Sequence, residues 1–271
     1  MQHNPENPSR TLIIIGGGED KKGEKKILRE VARRVGEGRL VVTTVASHEP
    51  EGYFSGYEQA FGGLDFKNLV ELEIRSRAES SEPEKLAILD GATGVFFSGG
   101  DQLKITSQIG DTPVFNRLCE IYQSGGLLAG TSAGASVMCE TMLVKGSGRE
   151  THRIGDLHMA PGLGFIRDVI IDQHFAERGR IGRLLGAIAH NPAKLGIGID
   201  EDTAIVVENE SRFEVIGTGG VYVADAGDIS YSNIAEGYRN ETLSIHDVHL
   251  HILSAGDSFD LQTRRPTPAS A

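Results

Sequence analysis

The stretch from Gly125 to Cys139, GGLLAGTSAGASVMC, decides the fold. An apolar strand leads into residues 130–134, GTSAG, which fit the G-x-S-x-G pattern of a nucleophile elbow around Ser132. A serine on a sharp strand-to-helix turn has a strained backbone, and side chains two residues away would collide with the neighbouring strand and helix. The alternative is a glycine-rich turn that packs a helix on a sheet or cradles a phosphate. The strand before the motif and the small residues after it favour the elbow.

The composition is that of an ordinary globular protein with an excess of acidic residues. The 271 residues are 39% hydrophobic and 24% charged, with a net charge of −11. That charge argues against nucleic acid as a partner. Residues 1–10 are polar and lack the apolar core of a signal peptide, so we expect a flexible tail there, and no run reaches the length of a membrane span. Cys119 and Cys139 are too few for a disulfide framework, so we expect buried free thiols and a cytoplasmic protein.

Apolar runs alternate with helical patterns along most of the chain. Strands are predicted at 11–15, 40–45, 69–74, 94–97, 169–171 and 195–199 and in the apolar run directly before Gly130, and helices at 22–35, 51–61, 82–89, 103–109, 114–122 and 181–189. Short alternating runs at 203–231 and 243–253 predict antiparallel strands, and 145–161 predicts a long loop. The pattern predicts one α/β domain over 1–271, with a mostly parallel central sheet between helices.

Three consecutive glycines, residues 16–18, follow the first strand. Such a turn could hold a dinucleotide, but the G-x-G-x-x-G register is missing, because Asp20 and Lys21 occupy the positions of the third glycine. No His, Cys, Asp and Glu spacing resembles a metal ligand set. We therefore expect neither a cofactor nor a metal.

A serine nucleophile needs a base within hydrogen-bond reach, and that base needs an orienting acid. His174 alone among the histidines directly follows a predicted central strand, where a parallel sheet would bring it level with Ser132. The acid stays open: residues 200–202, Asp-Glu-Asp, follow the next strand, and Asp172 is a further candidate.

Two other clusters lie near these residues in the predicted sheet. The Gly99-Gly100 turn could form an oxyanion hole with the amide of Ala133, or could be an ordinary turn capped by Asp101. Three arginines at 178, 180 and 183 follow His174, and they form either a solvated face or a site for a carboxylate-bearing substrate.

Four motifs together resemble the cyanophycinase family, serine exopeptidases related to peptidase E and, more distantly, to class I glutamine amidotransferases. They are SGGDQ at 98–102, GTSAGA at 130–135, DQHF at 172–175 and GIGIDE at 196–201, and the resemblance runs from the first strand to about Tyr231. It implies a flavodoxin-like three-layer sandwich, a cytoplasmic homodimer, and cyanophycin as the partner. This polymer has a polyaspartate backbone with arginine amide-linked to each β-carboxyl, and β-aspartyl-arginine would be the product.

The resemblance also implies roles for individual residues. Ser132 corresponds to the nucleophile, His174 to the base and Glu201 to the acid. The amides of Gly100 and Ala133 correspond to the oxyanion hole. The substrate pocket corresponds to Gln102, Asp172, Gln173, Arg178, Arg180 and Arg183.

Two other classes of function remain. The chain could be a peptidase E-like aspartyl dipeptidase or an esterase, or a catalytically silent peptide-binding protein. The order Ser, His, Glu differs from the Ser, Asp, His order of α/β-hydrolases, which counts against an ordinary esterase.

Overall fold

The computed structural model describes residues 9–47, 50–146 and 153–270, with only the backbone at residues 50 and 51. Most of the predicted tail and residues 147–152 of the predicted loop therefore lie outside the described residues. Within those ranges, no helix is long and apolar enough to span a bilayer.

The elements follow one another in this order. The strands are β1 (Thr11–Ile15), β2 (Arg39–Thr43), β3 (Leu69–Leu72), β4 (Ala92–Phe97), β5 (Leu127–Thr131), β6 (Thr141–Lys145), β7 (His158–Pro161), β8 (Val169–Gln173), β9 (Leu195–Ile199), β10 (Thr203–Glu208), β11 (Arg212–Gly217), β12 (Val221–Asp225), β13 (Tyr231–Ser232), β14 (Ile245–His246), β15 (His249–Leu253), β16 (Ser258–Asp260) and β17 (Arg265–Thr267). The α-helices are α1 (Lys26–Val35), α2 (Pro50–Gly62), α3 (Pro83–Ile88), α4 (Gln102–Ile109), α5 (Pro113–Gln123), α6 (Ala133–Ser136) and α7 (Ile181–His190), and a 3-10 helix spans Ala78–Ser81.

A large mixed sheet lies between helices on both faces, which confirms the predicted α/β class. Its order is β17-β16-β11-β10-β1-β5-β4-β2-β3. The five strands from β1 to β3 in that order are parallel, whereas β10, β11, β16 and β17 are added antiparallel. The alternating run 203–231 predicted β10 and β11, whereas β16 and β17 lie beyond the predicted strands. The parallel strands end at one edge, and this positions the site.

Strand β1 explains why the sheet is covered on both sides. Its side chains alternate between the two faces. Ile13 and Ile15 pack in the cluster that contains the buried residues of α1 and α2, and Leu12 and Ile14 pack with those of α4 and α5. All four are fully buried, so the strand is a continuous apolar run without polar alternation.

Strands β8 and β9 belong to a second sheet, of order β15-β12-β9-β8. The sequence predicted β8 in the central sheet. Both strands are short apolar runs of the kind found in the centre of a parallel sheet. In the structure, β9 is parallel to β8 on one side and antiparallel to β12 on the other. One face of this second sheet shares a core with the large sheet, and α7 covers the other through residues such as Leu184 and Ile188.

Several predicted boundaries differ from the observed ones, and the two largest differences have local causes. Helix α1 begins at Lys26 and not at residue 22, because the carboxylate of Asp20 accepts the amides of Lys22, Gly23 and Lys25 and folds those residues into a turn. The predicted loop 145–161 ends in β7, which pairs antiparallel with β6, so its described ends form a hairpin.

Candidate active site

Ser132 lies on a strained turn between β5 and α6. Its φ is 53° and its ψ is −108°, a conformation that costs about 1–3 kcal/mol for a residue with a side chain. The flanking glycines are sterically required. A Cβ on Gly130 would lie 2.4 Å from the carbonyl oxygen of Gly134, and one on Gly134 would lie 2.3 Å from that of Phe97 in β4. The sequence analysis predicted these two collisions.

The hydroxyl of Ser132 faces an imidazole that is itself held by a carboxylate. Ser132 Oγ lies 2.9 Å from His174 Nε2, and His174 Nδ1 lies 2.6 Å from Glu201 Oε1. An ionised carboxylate only accepts hydrogen bonds, so Nδ1 of the neutral ring carries the proton. Nε2 then has its lone pair towards the serine hydroxyl, an arrangement that can activate a nucleophile.

Two opposing effects act on the titration of the ring. Burial lowers the pKa of His174, and the positive charges of Arg178 and Arg180 lower it further. The hydrogen bond and charge of Glu201 act in the opposite direction, and the net pKa is below the usual 6.5. The imidazole is therefore neutral at pH 7, as a proton acceptor must be.

The three glycines after β1 accommodate the histidine and its acid. A Cβ on Gly17 would lie 2.3 Å from His174 Cε1, and one on Gly18 would lie 2.8 Å from Glu201 Oε2. The His174 amide also donates to the Gly16 carbonyl at 2.7 Å. The sequence analysis considered this turn only for a nucleotide. The close approach joins residues more than 150 positions apart, and the only sequence signal was three glycines at the carboxyl end of a strand.

Glu201 is the acidic candidate that contacts the imidazole. The carboxylate of Asp200 accepts the amides of Ala176 and Gly220, at 2.9 and 3.0 Å. Asp202 accepts the amide of Asp20 at 2.9 Å and the hydroxyl of Thr218 at 3.0 Å. These two carboxylates fix the backbone around the site.

The Gly99-Gly100 turn lies beside the serine. A Cβ on Gly99 would be 3.5 Å from Ser132 Cβ, and Gly100 has a φ of 140° with no space for a side chain. The amide of Ala133 is the first of α6, so it has no partner within that helix. Asp101 caps α4 by accepting the amide of Leu103, so the turn is also an ordinary strand-to-helix connection.

A cleft of about 600 Å³ opens at Ser132 and His174. Its lining comes from strand ends, the loops after them and helix α2: Gly18, Glu19, Asp20, Lys21, Lys22, Tyr53, Tyr57, Gly99, Gly100, Thr131, Ser132, His174 and Arg178. Glu19, Lys21 and Tyr57 were not among the residues predicted for the site. The only sequence signal for Glu19 and Lys21 is their position just after β1, and the sequence carries no comparable signal for Tyr57, which lies on α2.

Arg178 is the one predicted pocket arginine that is both exposed and part of this lining. The other two are buried against an acid: Arg183 donates to both oxygens of Asp172, and Arg180 lies 3.2 Å from the same carboxylate. Arg180 also donates to the backbone carbonyl and the side-chain oxygen of Gln173. Burial lowers the pKa of Arg180 to about 10, so the guanidinium stays charged at neutral pH.

Gln102 lies at the start of α4 and donates to the carbonyls of Leu143 and Val144, at 3.1 and 3.3 Å. The structure therefore brings together Ser132, His174 and Glu201, and places Arg178 beside them. The other five predicted pocket residues, Gln102, Asp172, Gln173, Arg180 and Arg183, have protein partners.

Comparison with known proteins gives consistent matches. The model of peptidase family S51 matches residues 12–215. A cyanophycinase of Trichormus variabilis is 40% identical over 268 residues, covering 98% of this chain and 90% of that protein. A cyanophycinase of Geminocystis herdmanii is 37% identical over 259 residues, covering 94% and 95%.

Solved structures agree in fold. A peptidase from an acI-B1 actinobacterium has a TM-score of 0.66 at 23% identity, covering 93% of this chain and 96% of that one. A putative peptidase E protein from Listeria monocytogenes has a TM-score of 0.52 at 16% identity, covering 78% and 98%. The family match spans about three quarters of the 271 residues, and the two relatives extend it to almost the whole length. This chain belongs to peptidase family S51.

Proposed function

We propose that this chain is a cyanophycinase, a serine-type exopeptidase that hydrolyses cyanophycin to β-aspartyl-arginine dipeptides. The observation that carries the chemistry is the hydrogen-bonded series from Ser132 Oγ through His174 to Glu201, at 2.9 and 2.6 Å, on the wall of a cleft. The substrate follows from relatives named cyanophycinase that are 37–40% identical over nearly the whole chain.

In the first half of the reaction, Ser132 Oγ attacks the carbonyl carbon of the scissile amide and its proton passes to His174 Nε2. Glu201 stabilises the imidazolium that forms. The amides of Gly100 and Ala133 donate to the oxyanion, and each such donor is worth about 10²–10³ in rate. The ring then gives its proton to the departing nitrogen, the C–N bond breaks, and an ester to Ser132 remains.

In the second half, a water molecule gives a proton to His174 Nε2 and adds to the ester carbonyl. Collapse of this second tetrahedral intermediate breaks the bond to Ser132 Oγ, which takes the proton back from the ring. The two products are the amine that departs in the first half and the acid released here; one is the β-aspartyl-arginine dipeptide, the other is the shortened polymer, and the free enzyme is regenerated.

Substrate recognition involves the charged residues near His174. Cyanophycin carries guanidinium groups and free carboxylates, so its site needs both signs of charge. Arg178, exposed in the cleft, is the proposed direct contact. Asp172, Gln173, Arg180 and Arg183 form the buried wall next to it, and Gln102 fixes the start of α4 against β6. We further propose a cytoplasmic homodimer formed from single-domain chains.

The test is hydrolysis of purified cyanophycin, with the dipeptide identified by mass spectrometry. Ser132→Ala should abolish the product at unchanged fold, and a serine-directed phosphonate should label Ser132 in the wild type. Ser107→Ala, an exposed serine on α4, is the matched control and should keep full activity. Faster turnover of α-aspartyl dipeptides or acyl esters than of the polymer would contradict the proposed substrate, and a fully active Ser132→Ala would contradict the mechanism.

A further inference from the structure

A buried glutamate on the cleft wall has no part in the proposed reaction. The side chain of Glu19 is 3% exposed. Its Oε1 accepts the hydroxyl of Tyr57 at 2.7 Å, and its Oε2 accepts the hydroxyl of Thr131 at 2.5 Å. Thr131 directly precedes Ser132, so this carboxylate connects the loop after β1 to the end of the strand that carries the serine.

The same carboxylate holds a lysine in the cleft. Lys21 Nζ lies 3.3 Å from Glu19 Oε1 and 3.9 Å from the centroid of the Tyr57 ring. An ammonium has three N–H donors. A carboxylate and an aromatic face occupy two sides of it, and the side chain remains 33% exposed among the residues that line the cleft. One donor direction is therefore left for a ligand.

This lysine is fixed before any ligand arrives. A free lysine side chain loses rotamer entropy when it binds a partner, whereas one already held by two contacts loses less. The neighbouring acid is engaged elsewhere, because the Asp20 carboxylate accepts the backbone amides of Lys22, Gly23 and Lys25. The charge that Lys21 presents to the cleft is suited to an anionic group.

We propose that Lys21 is a specificity-determining residue that binds a free carboxylate of the peptide substrate, and that Glu19 and Tyr57 are the positioning residues that hold its ammonium. The inference rests on the proposed function and adds a contact to it. Cyanophycin offers two such carboxylates, one on each arginine branch and one at the end of the aspartate backbone. Both would form the same ammonium–carboxylate pair.

Binding can be measured without turnover in a Ser132→Ala background, by calorimetry with three short β-aspartyl-arginine oligomers. One has all carboxylates free, one has the branch carboxylates amidated, and one has the terminal carboxylate amidated. Lys21→Met should weaken binding of the free oligomer about tenfold, the loss expected for one partly exposed charge-assisted hydrogen bond. Lys21→Met should not change the binding of the oligomer in which the carboxylate that contacts Lys21 is amidated. The oligomer that shows no change therefore identifies which of the two carboxylates Lys21 binds.

Matched variants separate a specific contact from other effects. Lys21→Arg should restore most of the affinity, and Lys26→Met, an equal charge change on α1 outside the cleft, should leave it unchanged. The double variant Glu19→Gln/Lys21→Met removes both charges, so it tests the contact without leaving Glu19 unpaired. Folding of each variant is checked by circular dichroism.

Several results would overturn the inference. One is an equal loss on all three oligomers, and another is an equal loss in Lys22→Met, which changes the field of the cleft without the Glu19 contact. Absence of binding by any oligomer would overturn it as well. Wild-type kinetics give an independent answer: Lys21→Met should raise KM about tenfold with little change in kcat. If the wild type fails to cleave cyanophycin, the proposed function fails, and the binding comparison still decides the role of Lys21.

Discussion

The proton transfer proposed for this site depends on two contacts of one imidazole. Because burial lowers the pKa of His174, wild-type kcat/KM should fall only as the pH decreases through a value below 6.5. Glu201→Gln removes the hydrogen bond that raises this pKa, so the acidic limb should move to lower pH. Loss of the correct tautomer should also reduce kcat by about 10³-fold or more.

The measurement is the pH dependence of kcat/KM for both proteins on the same substrate. Glu84→Gln, an exposed glutamate on α3, is the control for a simple change of charge and should reproduce the wild-type profile. A Glu201→Gln enzyme with wild-type kcat would show that another group orients the histidine.

For single residues, the sequence was most informative where a short motif or the end of a strand marks the position. The flanking glycines predicted Ser132 as the nucleophile, and its place after a strand predicted His174 as the base; the structure places Ser132 Oγ 2.9 Å from His174 Nε2. The partners of charged residues could not be read in the same way. Asp172 was considered for the acid, but it is paired with Arg180 and Arg183. An ion pair between a strand and a helix depends on how the two elements pack against each other, so the paired residues have no fixed spacing in the sequence.

Among the connecting elements, the loop between β1 and α1 packs directly against the side chains of the site. Gly17→Ala puts a methyl group 2.3 Å from His174 Cε1, at a residue whose φ is +101°. The ring must move, and a displacement of about 1 Å can cost 10²-fold in rate. We therefore expect kcat to fall about 100-fold, with slower phosphonate labelling of Ser132.

Gly36→Ala is the matched control for this variant. Gly36 also has a positive φ, +61°, but a Cβ there meets nothing within 4 Å. Both variants carry a backbone cost of about 1–3 kcal/mol, and only the methyl group of Gly17→Ala collides with the imidazole. Equal activity of the two proteins would contradict the steric argument.

The loop between β1 and α1 could be predicted from the sequence only in part. The strand, the glycines and the approximate helix were predicted. The role of the glycines was not, because the side chains that require them come from β8 and β9, far along the chain. The second sheet escaped prediction for a related reason: short apolar strands carry no signal of which neighbour they pair with.

Across the whole molecule, the two sheets share one hydrophobic core. The cluster that contains Leu12 and Val95 of the large sheet also contains Ile171, Ile197 and Val223 of the small one. Scanning calorimetry should therefore show one cooperative transition, with calorimetric and van't Hoff enthalpies that agree. If the chain is a homodimer, the midpoint should rise with protein concentration. Two separable transitions would contradict the single-domain proposal, and a constant midpoint would count against the dimer.

Ser132 follows a strand of the large sheet, whereas His174 and Glu201 follow strands of the small one. Substitutions in the apolar interface between the two sheets can therefore change the turnover rate without touching the cleft. They would shift one sheet by a fraction of an ångström relative to the other and so change the distance between Ser132 and His174. Directed evolution of this enzyme should find its rate-altering changes in that apolar interface as readily as in the cleft itself.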